Sequence, residues 1–404
     1  MARQDGKQKE PGGVHEARTE DLLFWPFAGA RLALDSWLDT WLRLLGEHRE
    51  PPVQAEAALS WTTPHTIAVE LTTLRLRDFS TAATGQPVVI CAPYALHGAV
   101  LTDFARDHSV VQVLQRAGIG RLFATDWRSA MPEMRYLSID SYLADLNAAI
   151  DTIGPPVDLI GLCQGGWLSL LLAARFPEKV RRLVLVGAPV DVSHQSPMSQ
   201  MVANLPPVAF EALVDPATGL VRGKHLQPAW PGSLTSSAEE SLQRSLADGA
   251  PGADELRQRF ARWDSETLDL PGTYYVEVAD WIFRENRIAE RRFVALGRMI
   301  DLSHLTLPLF LLAGTEDRVV PKEQALATAQ LMGTPAAEVK IAVERSSHLG
   351  LLMGRETLAK SWRGIANWLL SDLTTSDQAP PQNGRCVTAM GSQRGSTLRP
   401  SPNG

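Results

Sequence analysis

The sequence is poor in cysteine, in long apolar runs and in excess positive charge, and each shortage excludes a class of protein. Only three cysteines occur among 404 residues, at Cys91, Cys163 and Cys386, so they cannot all pair and their spacing matches no metal site. No uncharged apolar stretch approaches the roughly 18 residues that a membrane-spanning helix needs. The formal net charge of −6 argues against nucleic acid as the main partner.

What remains is the composition of an ordinary globular protein. Hydrophobic residues make up 45% of the chain and charged residues 21%, and the length suffices for one large core. The N-terminal sequence MARQDGKQKEPGG is polar and lacks the apolar segment of a secretory leader. A reducing cytoplasm is therefore the expected compartment.

Changes in composition along the chain predict its organisation. Both ends are rich in Gly, Ser, Gln, Pro and Thr, which is typical of disorder, and Cys386 in the tail is expected to be an incidental thiol. The predicted segments are a disordered start at 1–18, an amphipathic helical segment at 19–60, an α/β core at 61–191 and 301–372, a cap at 192–300 and a disordered tail at 373–404.

The predicted N-terminal helix carries two tryptophans, Trp37 and Trp41, on one apolar stripe. Such a stripe fits two roles. It can cover the main core, or it can dock on a partner subunit or on the surface of an apolar particle.

Runs rich in Val, Ile and Leu alternate with helical segments from His65 to Gly187, and this rhythm returns at Pro308. The alternation predicts a mostly parallel sheet covered by helices on both faces. The intervening block has no clear strand pattern and is too long for a structureless loop. We therefore expect a helical cap, inserted after the sixth strand and lying over the carboxyl edge of the sheet.

One strand, Val157–Leu162, runs into the sequence Gly161-Leu-Cys163-Gln-Gly165 and then into an apolar helix. This is the pattern of a nucleophile elbow, with cysteine where most hydrolases have serine. A side chain at either glycine would clash with neighbouring backbone in so sharp a turn. The pattern predicts that the Cys163 thiol is a nucleophile at the N-terminal end of the helix, where a thiolate is favoured.

A cysteine nucleophile needs a base, and the base needs an orienting carboxylate. Asp317 and His348 each follow a later predicted strand, in the chain order nucleophile, acid, histidine that α/β-hydrolases use. The predicted fold is therefore the α/β-hydrolase fold with a Cys163–His348–Asp317 triad. Asp191, which follows another strand, is a rival for the acid.

Other candidate residues follow from the same geometry. The predicted oxyanion hole uses backbone N–H groups of Gln164 and of the loop after the third strand, at Tyr94 and Ala95. His97 on that loop either lines the pocket or orders the loop, and Cys91 is expected to be buried. The further pocket candidates are His97, Asp126, Trp127 and Trp167.

At these residues the sequence resembles the polyhydroxyalkanoate synthases, particularly the short catalytic subunits of the two-component type. The resemblance covers about residues 85–370. The similar segments are Gly161–Gly166, Tyr94–Leu96, Leu101–Asp103, Asp107–Ser109, Thr125–Trp127, Ala188–Asp191, Asp280–Phe283, Asp317–Pro321 and His348–Gly350.

The resemblance implies an acyltransferase that joins 3-hydroxyacyl groups from coenzyme A thioesters into polyester, with Cys163 as acyl carrier and no cofactor or metal. It also implies that a second subunit or a granule surface could dock on the N-terminal helix or the cap. The alternative is a hydrolase with the same triad, either an intracellular polyhydroxyalkanoate depolymerase or an acyl-CoA thioesterase. A third possibility is a catalytically silent granule-surface protein.

The sequence departs from the family pattern at three places. Ser347 precedes His348 where a glycine is expected, and His97 stands where the synthases tend to have an amide or another residue. The cap matches only in patches. Because the cap would govern substrate entry, these departures bear most on the choice between synthase and hydrolase.

Overall fold

An eight-stranded sheet is the centre of the fold within residues 59–226 and 252–371, the residues that the computed structural model describes. Its order is β1-β2-β4-β3-β5-β6-β7-β8, and every neighbouring pair from β4 to β8 is parallel, whereas β1 and β2 are antiparallel to their neighbours. The strands are β1 (Thr66–Glu70), β2 (Leu74–Asp78), β3 (Pro87–Cys91), β4 (Arg121–Trp127), β5 (Val157–Leu162), β6 (Val180–Val186), β7 (Leu309–Gly314) and β8 (Val339–Glu344).

The central strands are buried on both faces, which explains their almost unbroken apolar sequences. Every residue of β3, β5 and β7 is buried. The two edge strands differ, since Ile67 on β1 and Ile341 on β8 are exposed. This gradient from covered centre to open edge is what a parallel sheet packed between helices requires.

Helices cover the sheet on both sides. The second of them begins with a capping box between Ser138 and Ser141, and the third begins directly after the predicted nucleophile. The helices are α1 (Val110–Arg116), α2 (Ile139–Ile153), α3 (Gln164–Arg175), α4 (Pro197–Asn204), α5 (Pro207–Glu211), α6 (Gly223–Leu226), α7 (Ala253–Ser265), α8 (Gly272–Glu277), α9 (Lys322–Leu326), α10 (Thr328–Leu331), α11 (His348–Met353), α12 (Arg355–Thr357) and α13 (Arg363–Leu370). Wider π-helical turns follow α8 at Val278–Arg284 and α12 at Leu358–Trp362.

The expected cap, 192–300, follows β6, the sixth strand of the sheet, and we call its described residues, 192–226 and 252–300, the insertion. Five helices lie in it, α4 to α8. The sequence of this block shows no clear strand pattern, yet the structure contains two short ladders there. Leu220–Val221 pairs with Leu270–Pro271, and Val294–Ala295 pairs with Arg298–Met299. Ladders of two residues are too short to produce an alternating sequence pattern, so tertiary contacts decide them.

Some predictions fall on residues outside the described ranges. These are the disordered start and tail, Cys386, the amphipathic helix with Trp37 and Trp41, and the part of the expected cap at 227–251. Among the described helices, none has both the length and the apolar character needed to cross a bilayer.

Gly165 sets how closely α3 approaches the sheet. A Cβ at Gly165 would lie 2.2 Å from the carbonyl oxygen of Cys91 and 2.6 Å from that of Ala92, both backbone atoms. The absence of a side chain therefore lets the start of α3 rest on the carboxyl end of β3. This contact brings the residue after Cys163 next to the loop that follows β3.

Gly165→Ala is expected to lower the free energy of unfolding by about 3 kcal/mol, because a backbone segment must move to admit the methyl group. Urea unfolding followed by circular dichroism measures the effect. Gly364→Ala is the matched control, since Gly364 is exposed in α13 and a Cβ there meets no atom within 4 Å. That change should leave stability equal or raise it by up to about 1 kcal/mol. Equal stability of the two variants would contradict the packing described here.

Candidate active site

Cys163 occupies the turn between β5 and α3 in a strained conformation. Its φ is 49° and its ψ is −119°, a combination that residues with a side chain rarely adopt. The Cys163 N–H donates to the carbonyl of Val186 at 2.9 Å, which fixes the turn against β6. Strain of this kind costs on the order of 1–3 kcal/mol and persists where the surrounding structure enforces it. The predicted elbow geometry is present.

His348 and Asp317 meet at the same edge of the sheet. Asp317 lies in the loop after β7, His348 is the first residue of α11, and the imidazole Nδ1 lies 2.7 Å from the carboxylate Oδ2. The other carboxylate oxygen, Oδ1, accepts from the backbone N–H groups of Val319 and Val320, each at 2.9 Å. Asp317 is thus held by three hydrogen bonds, and it fixes the orientation of the His348 ring.

The Cys163 sulfur interacts electrostatically with the same imidazole. Burial alone lowers the pKa of His348, but the Asp317 carboxylate and the Cys163 sulfur raise it more, so the pKa lies well above its usual value. Cys163, Asp317 and His348 are each only 7% exposed, so bulk water screens the group little. The arrangement therefore favours the imidazolium form of His348 beside Asp317 and Cys163.

Asp191, the rival acid, has different partners. Its carboxylate Oδ1 accepts from the Asn286 side-chain amide at 2.8 Å and from the Ser193 N–H at 3.0 Å. Asn286 in turn accepts from the N–H of Val192 at 3.2 Å. Hydrogen bonds to Asn286 therefore connect Asp191 and Val192, at the start of the insertion, to a later part of the insertion. The described partners of Asp191 do not include His348.

The candidate oxyanion donors lie on two facing segments. Gln164 is the first residue of α3, where backbone N–H groups have no acceptor within the helix. On the opposite segment, the Tyr274 hydroxyl lies 3.5 Å from the Tyr94 carbonyl oxygen, to which it donates. Because the two ends of a trans peptide point in opposite directions, this contact turns the Ala95 N–H away from Tyr274.

A cavity of about 100 Å³ is lined by both Gln164 and Ala95. Its other walls come mostly from α4, α5, α8 and the wider turn after α8. Ten of the thirteen described lining residues carry apolar side chains; the exceptions are Gln164, Tyr274 and Tyr275. The space next to the candidate oxyanion donors therefore suits an aliphatic group.

The remaining predicted pocket residues are not among those that line this cavity. His97 forms a bridge with Thr267, and its ring lies 4.4 Å from that of Trp263, so we infer that it orders the loop. The Trp127 indole donates to the Ala92 carbonyl at 2.7 Å. The two others are also placed elsewhere: Asp126 pairs with Arg77 on β2, and Trp167 is completely buried in α3.

Sequence reasoning missed every residue that the insertion contributes to the cavity. The one sequence feature that could have indicated these residues is the adjacent pair Tyr274 and Tyr275, since the chain has only five tyrosines. Met198, Met201 and Phe210 belong to short helices without a distinctive motif. Within residues 59–226 and 252–371, no three His, Cys, Asp or Glu side chains are grouped as metal ligands would be.

The raised pKa of His348 leads to a prediction about alkylation. The His348 imidazolium stabilises negative charge that develops on the neighbouring sulfur, so iodoacetamide should modify Cys163 readily at pH 7. In His348→Gln the rate at pH 7 should fall about tenfold, because the neutral amide cannot stabilise that charge. Mass spectrometry of the modified peptides measures both rates. The internal control is Cys91, because burial raises its pKa to about 12 and it should stay unmodified. A rate at pH 7 that His348→Gln leaves unchanged would contradict this role of His348.

The fold and the site define the class to which the chain belongs. The sequence profile of the alpha/beta hydrolase family matches residues 95–360, which span the elbow, the Asp317 loop and His348. The chain belongs to the alpha/beta hydrolase family and is an enzyme of that superfamily. The predicted fold class is confirmed.

Among characterised proteins, the chain is similar to poly(3-hydroxyalkanoate) polymerase subunits PhaC. It is 24% identical to that of Haloferax mediterranei over 80% of this chain and 66% of the relative. It is 25% identical to that of Allochromatium vinosum over 81% of this chain and 94% of the relative. The resemblance predicted from the sequence is confirmed.

Two further matches are hydrolases. The 2-hydroxy-6-oxo-2,4-heptadienoate hydrolase of Pseudomonas putida is 29% identical over 57% of this chain and 80% of that protein. The crystal structure of Bacillus megaterium epoxide hydrolase with an inhibitor has a TM-score of 0.50 at 13% identity and covers 76% of this chain and 99% of that one. The structural likeness shows the fold alone.

Proposed function

We propose that the protein is an acyltransferase of the polyhydroxyalkanoate synthase type, which transfers 3-hydroxyacyl groups from coenzyme A thioesters to a growing polyester. The observation that carries the proposal is the strained elbow at Cys163 together with the buried His348–Asp317 pair, whose imidazole interacts with the Cys163 sulfur. The next residue, Gln164, lines a mostly apolar cavity. The similarity to PhaC polymerase subunits over most of the chain supports the same activity.

In the first proposed step the Cys163 thiolate attacks the thioester carbonyl of the acyl-CoA. The carbonyl oxygen becomes an oxyanion, to which the N–H groups of Gln164 and Ala95 donate. The intermediate then expels coenzyme A as a thiolate, which takes the proton of the His348 imidazolium and leaves His348 neutral. The acyl group is left on sulfur as a thioester of nearly the same energy as the donor.

In the second step the hydroxyl of a chain end or of another hydroxyacyl group attacks the acyl-enzyme. Neutral His348 removes the hydroxyl proton, and Asp317 stabilises the imidazolium that forms. Collapse of the second tetrahedral intermediate forms the ester and returns Cys163 as a thiolate beside the imidazolium. A sulfur ester suits this step because it is more activated than the oxygen ester that serine would form.

The insertion is proposed to act as the lid of this site, between core segments at about 61–191 and 301–372. Its helices supply most of the cavity wall, and Asp191 and Asn286 tie its start to its later part. Closure of such a lid would exclude water from the acyl-enzyme while admitting an acyl chain. The balance between those two tasks decides whether polymer or free acid is formed.

A hydrolase is the second candidate, because its acyl-enzyme would be identical and only the attacking group would differ. The specific observation in its favour is the similarity to the Pseudomonas putida hydrolase. In that case water replaces the chain-end hydroxyl, and the substrate is a stored polyester or an acyl-CoA. We favour the synthase because the PhaC relatives are matched over more of the chain.

The proposed place of action is the surface of polyester granules in the cytoplasm. The relatives are named as subunits, which supports a second subunit as a partner of this chain. The predicted helix with Trp37 and Trp41, or the insertion, would provide the docking surface for that subunit or for the granule.

One assay separates the three functions. The purified protein is incubated with 3-hydroxybutyryl-CoA, thiol release is followed with a chromogenic disulfide, and the product is collected. Insoluble polyester is the expected result, whereas free hydroxy acid would establish the hydrolase instead. Absence of thiol release together with absence of attack on polyester would contradict both and leave a silent granule-surface protein.

A further inference from the structure

Gln164 carries a buried polar group that the proposed mechanism does not use. Only its backbone N–H takes part in the oxyanion hole, yet the residue is 8% exposed and lines the cavity. Its side-chain oxygen Oε1 is buried and has no hydrogen-bond partner among the described residues. Buried acceptors are nearly always satisfied, so a carboxamide at this place suits a donor that arrives with a ligand.

The surroundings of Gln164 limit what that donor can be. The described cavity wall is apolar except for Gln164 and the two tyrosines, so a charged ligand group would find no counter-ion there. The Tyr274 hydroxyl already lies in contact with the Tyr94 carbonyl. A neutral hydroxyl on an aliphatic chain is the group that both fits the wall and donates to Oε1.

The backbone N–H and the side-chain carboxamide of Gln164 together indicate where along the acyl chain the hydroxyl must lie. The Gln164 backbone N–H would hold the oxygen of the reacting carbonyl, and its carboxamide lies three carbons further along its own side chain. In a 3-hydroxyacyl group the hydroxyl is separated from the carbonyl carbon by a single methylene group and the carbon that bears it. One residue can therefore contact both groups of such a chain at once.

We propose that the Gln164 carboxamide is the specificity-determining group that accepts a hydrogen bond from the 3-hydroxyl of the acyl substrate. This inference rests on the proposed function, since it assigns the acyl chain to the cavity lined by Gln164, the residue after Cys163. A deoxy acyl chain leaves the buried Oε1 unsatisfied and is discriminated against for that reason.

The test is calorimetric binding to full-length Cys163→Ala protein, which cannot turn the ligand over. The probes are 3-hydroxybutyryl-CoA, butyryl-CoA and 3-methoxybutyryl-CoA. The hydroxy compound is expected to bind about tenfold more tightly than the other two, which lack the donor. In Cys163→Ala/Gln164→Met, which keeps the length of the side chain but removes the amide, the three affinities should become equal.

Equal affinities in Cys163→Ala itself, or a preference that survives Gln164→Met, would overturn the assignment. The comparison among the three probes in Cys163→Ala needs no change at Gln164, so misfolding of the double variant cannot hide a negative result. Failure of the proposed function is seen separately, as absence of thiol release by the wild-type protein. A tenfold preference in binding would then still assign the hydroxyl contact to this cavity.

Discussion

Cys163→Ala is expected to reduce thiol release from 3-hydroxybutyryl-CoA by at least about 10⁴-fold, because no other described side chain can carry the acyl group at this site. Among the described residues, the Cys163 thiol is the nucleophile that interacts with His348, which is paired with Asp317. Both half-reactions pass through its thioester, so polymer and free acid should disappear together. Thiol release and product analysis on equal amounts of folded protein measure the loss.

The matched control is Cys91→Ala, which removes the second described thiol. Cys91 is completely buried in β3, and burial raises its pKa to about 12, so it cannot serve as a nucleophile. This variant should retain most of the wild-type turnover, with a modest loss of stability from the small cavity. Activity that survives in Cys163→Ala, or disappears in Cys91→Ala at unchanged folding, would remove the assignment of the nucleophile.

Asp317→Asn is expected to lower turnover by about 10²- to 10⁴-fold. The amide keeps the shape of the carboxylate but cannot stabilise the imidazolium, and it favours the wrong tautomer of His348. The loss should be accompanied by a fall in the pKa of His348, because the Asp317 charge is the largest influence that raises it. Steady-state turnover as a function of pH measures both effects.

Asp191→Asn is the control that decides between the two candidate acids. The asparagine can still accept the hydrogen bonds from Ser193 and Asn286 through its amide oxygen, so the insertion should stay in place. Turnover should change little. If Asp191→Asn were the more damaging of the two substitutions, the acid of the triad would be misassigned.

The sheet and its flanking helices could be predicted because each of those elements carries its own local signal. Strand β5 has the bounds expected from the sequence, Val157–Leu162. A capping serine marks the start of α2, and the apolar run of β5 ends at a glycine-rich turn. Both faces of β5 are buried, and a short, continuous apolar run is the sequence pattern typical of such a strand.

The insertion could not be predicted in the same way. One of its two short ladders, Leu220–Val221 with Leu270–Pro271, pairs residues about fifty positions apart, and a two-residue ladder has no period to detect. The contact between Tyr274 and Tyr94 joins residues 180 positions apart. Such contacts are set by how the insertion packs on the core, which no local pattern encodes.

The candidate site likewise contains residues that the sequence predicts and residues that it does not. The places of Cys163, Asp317 and His348 follow from the rule that parallel strands end at one edge, and the contact between the last two is present. Asp126 shows the limit of that rule. It also lies near the end of a strand, but side chains alternate between the faces of a sheet, and it pairs with Arg77 away from the cavity.

The most direct test of the central claim is to look for the acyl group on sulfur. Wild-type protein is mixed with 3-hydroxybutyryl-CoA, quenched in acid within the first turnover, digested and analysed by mass spectrometry. The account predicts that the peptide containing Cys163 gains the mass of one 3-hydroxybutyryl group and loses it on treatment with hydroxylamine. Acylation of any other residue, or rapid turnover without acylation of Cys163, would contradict it.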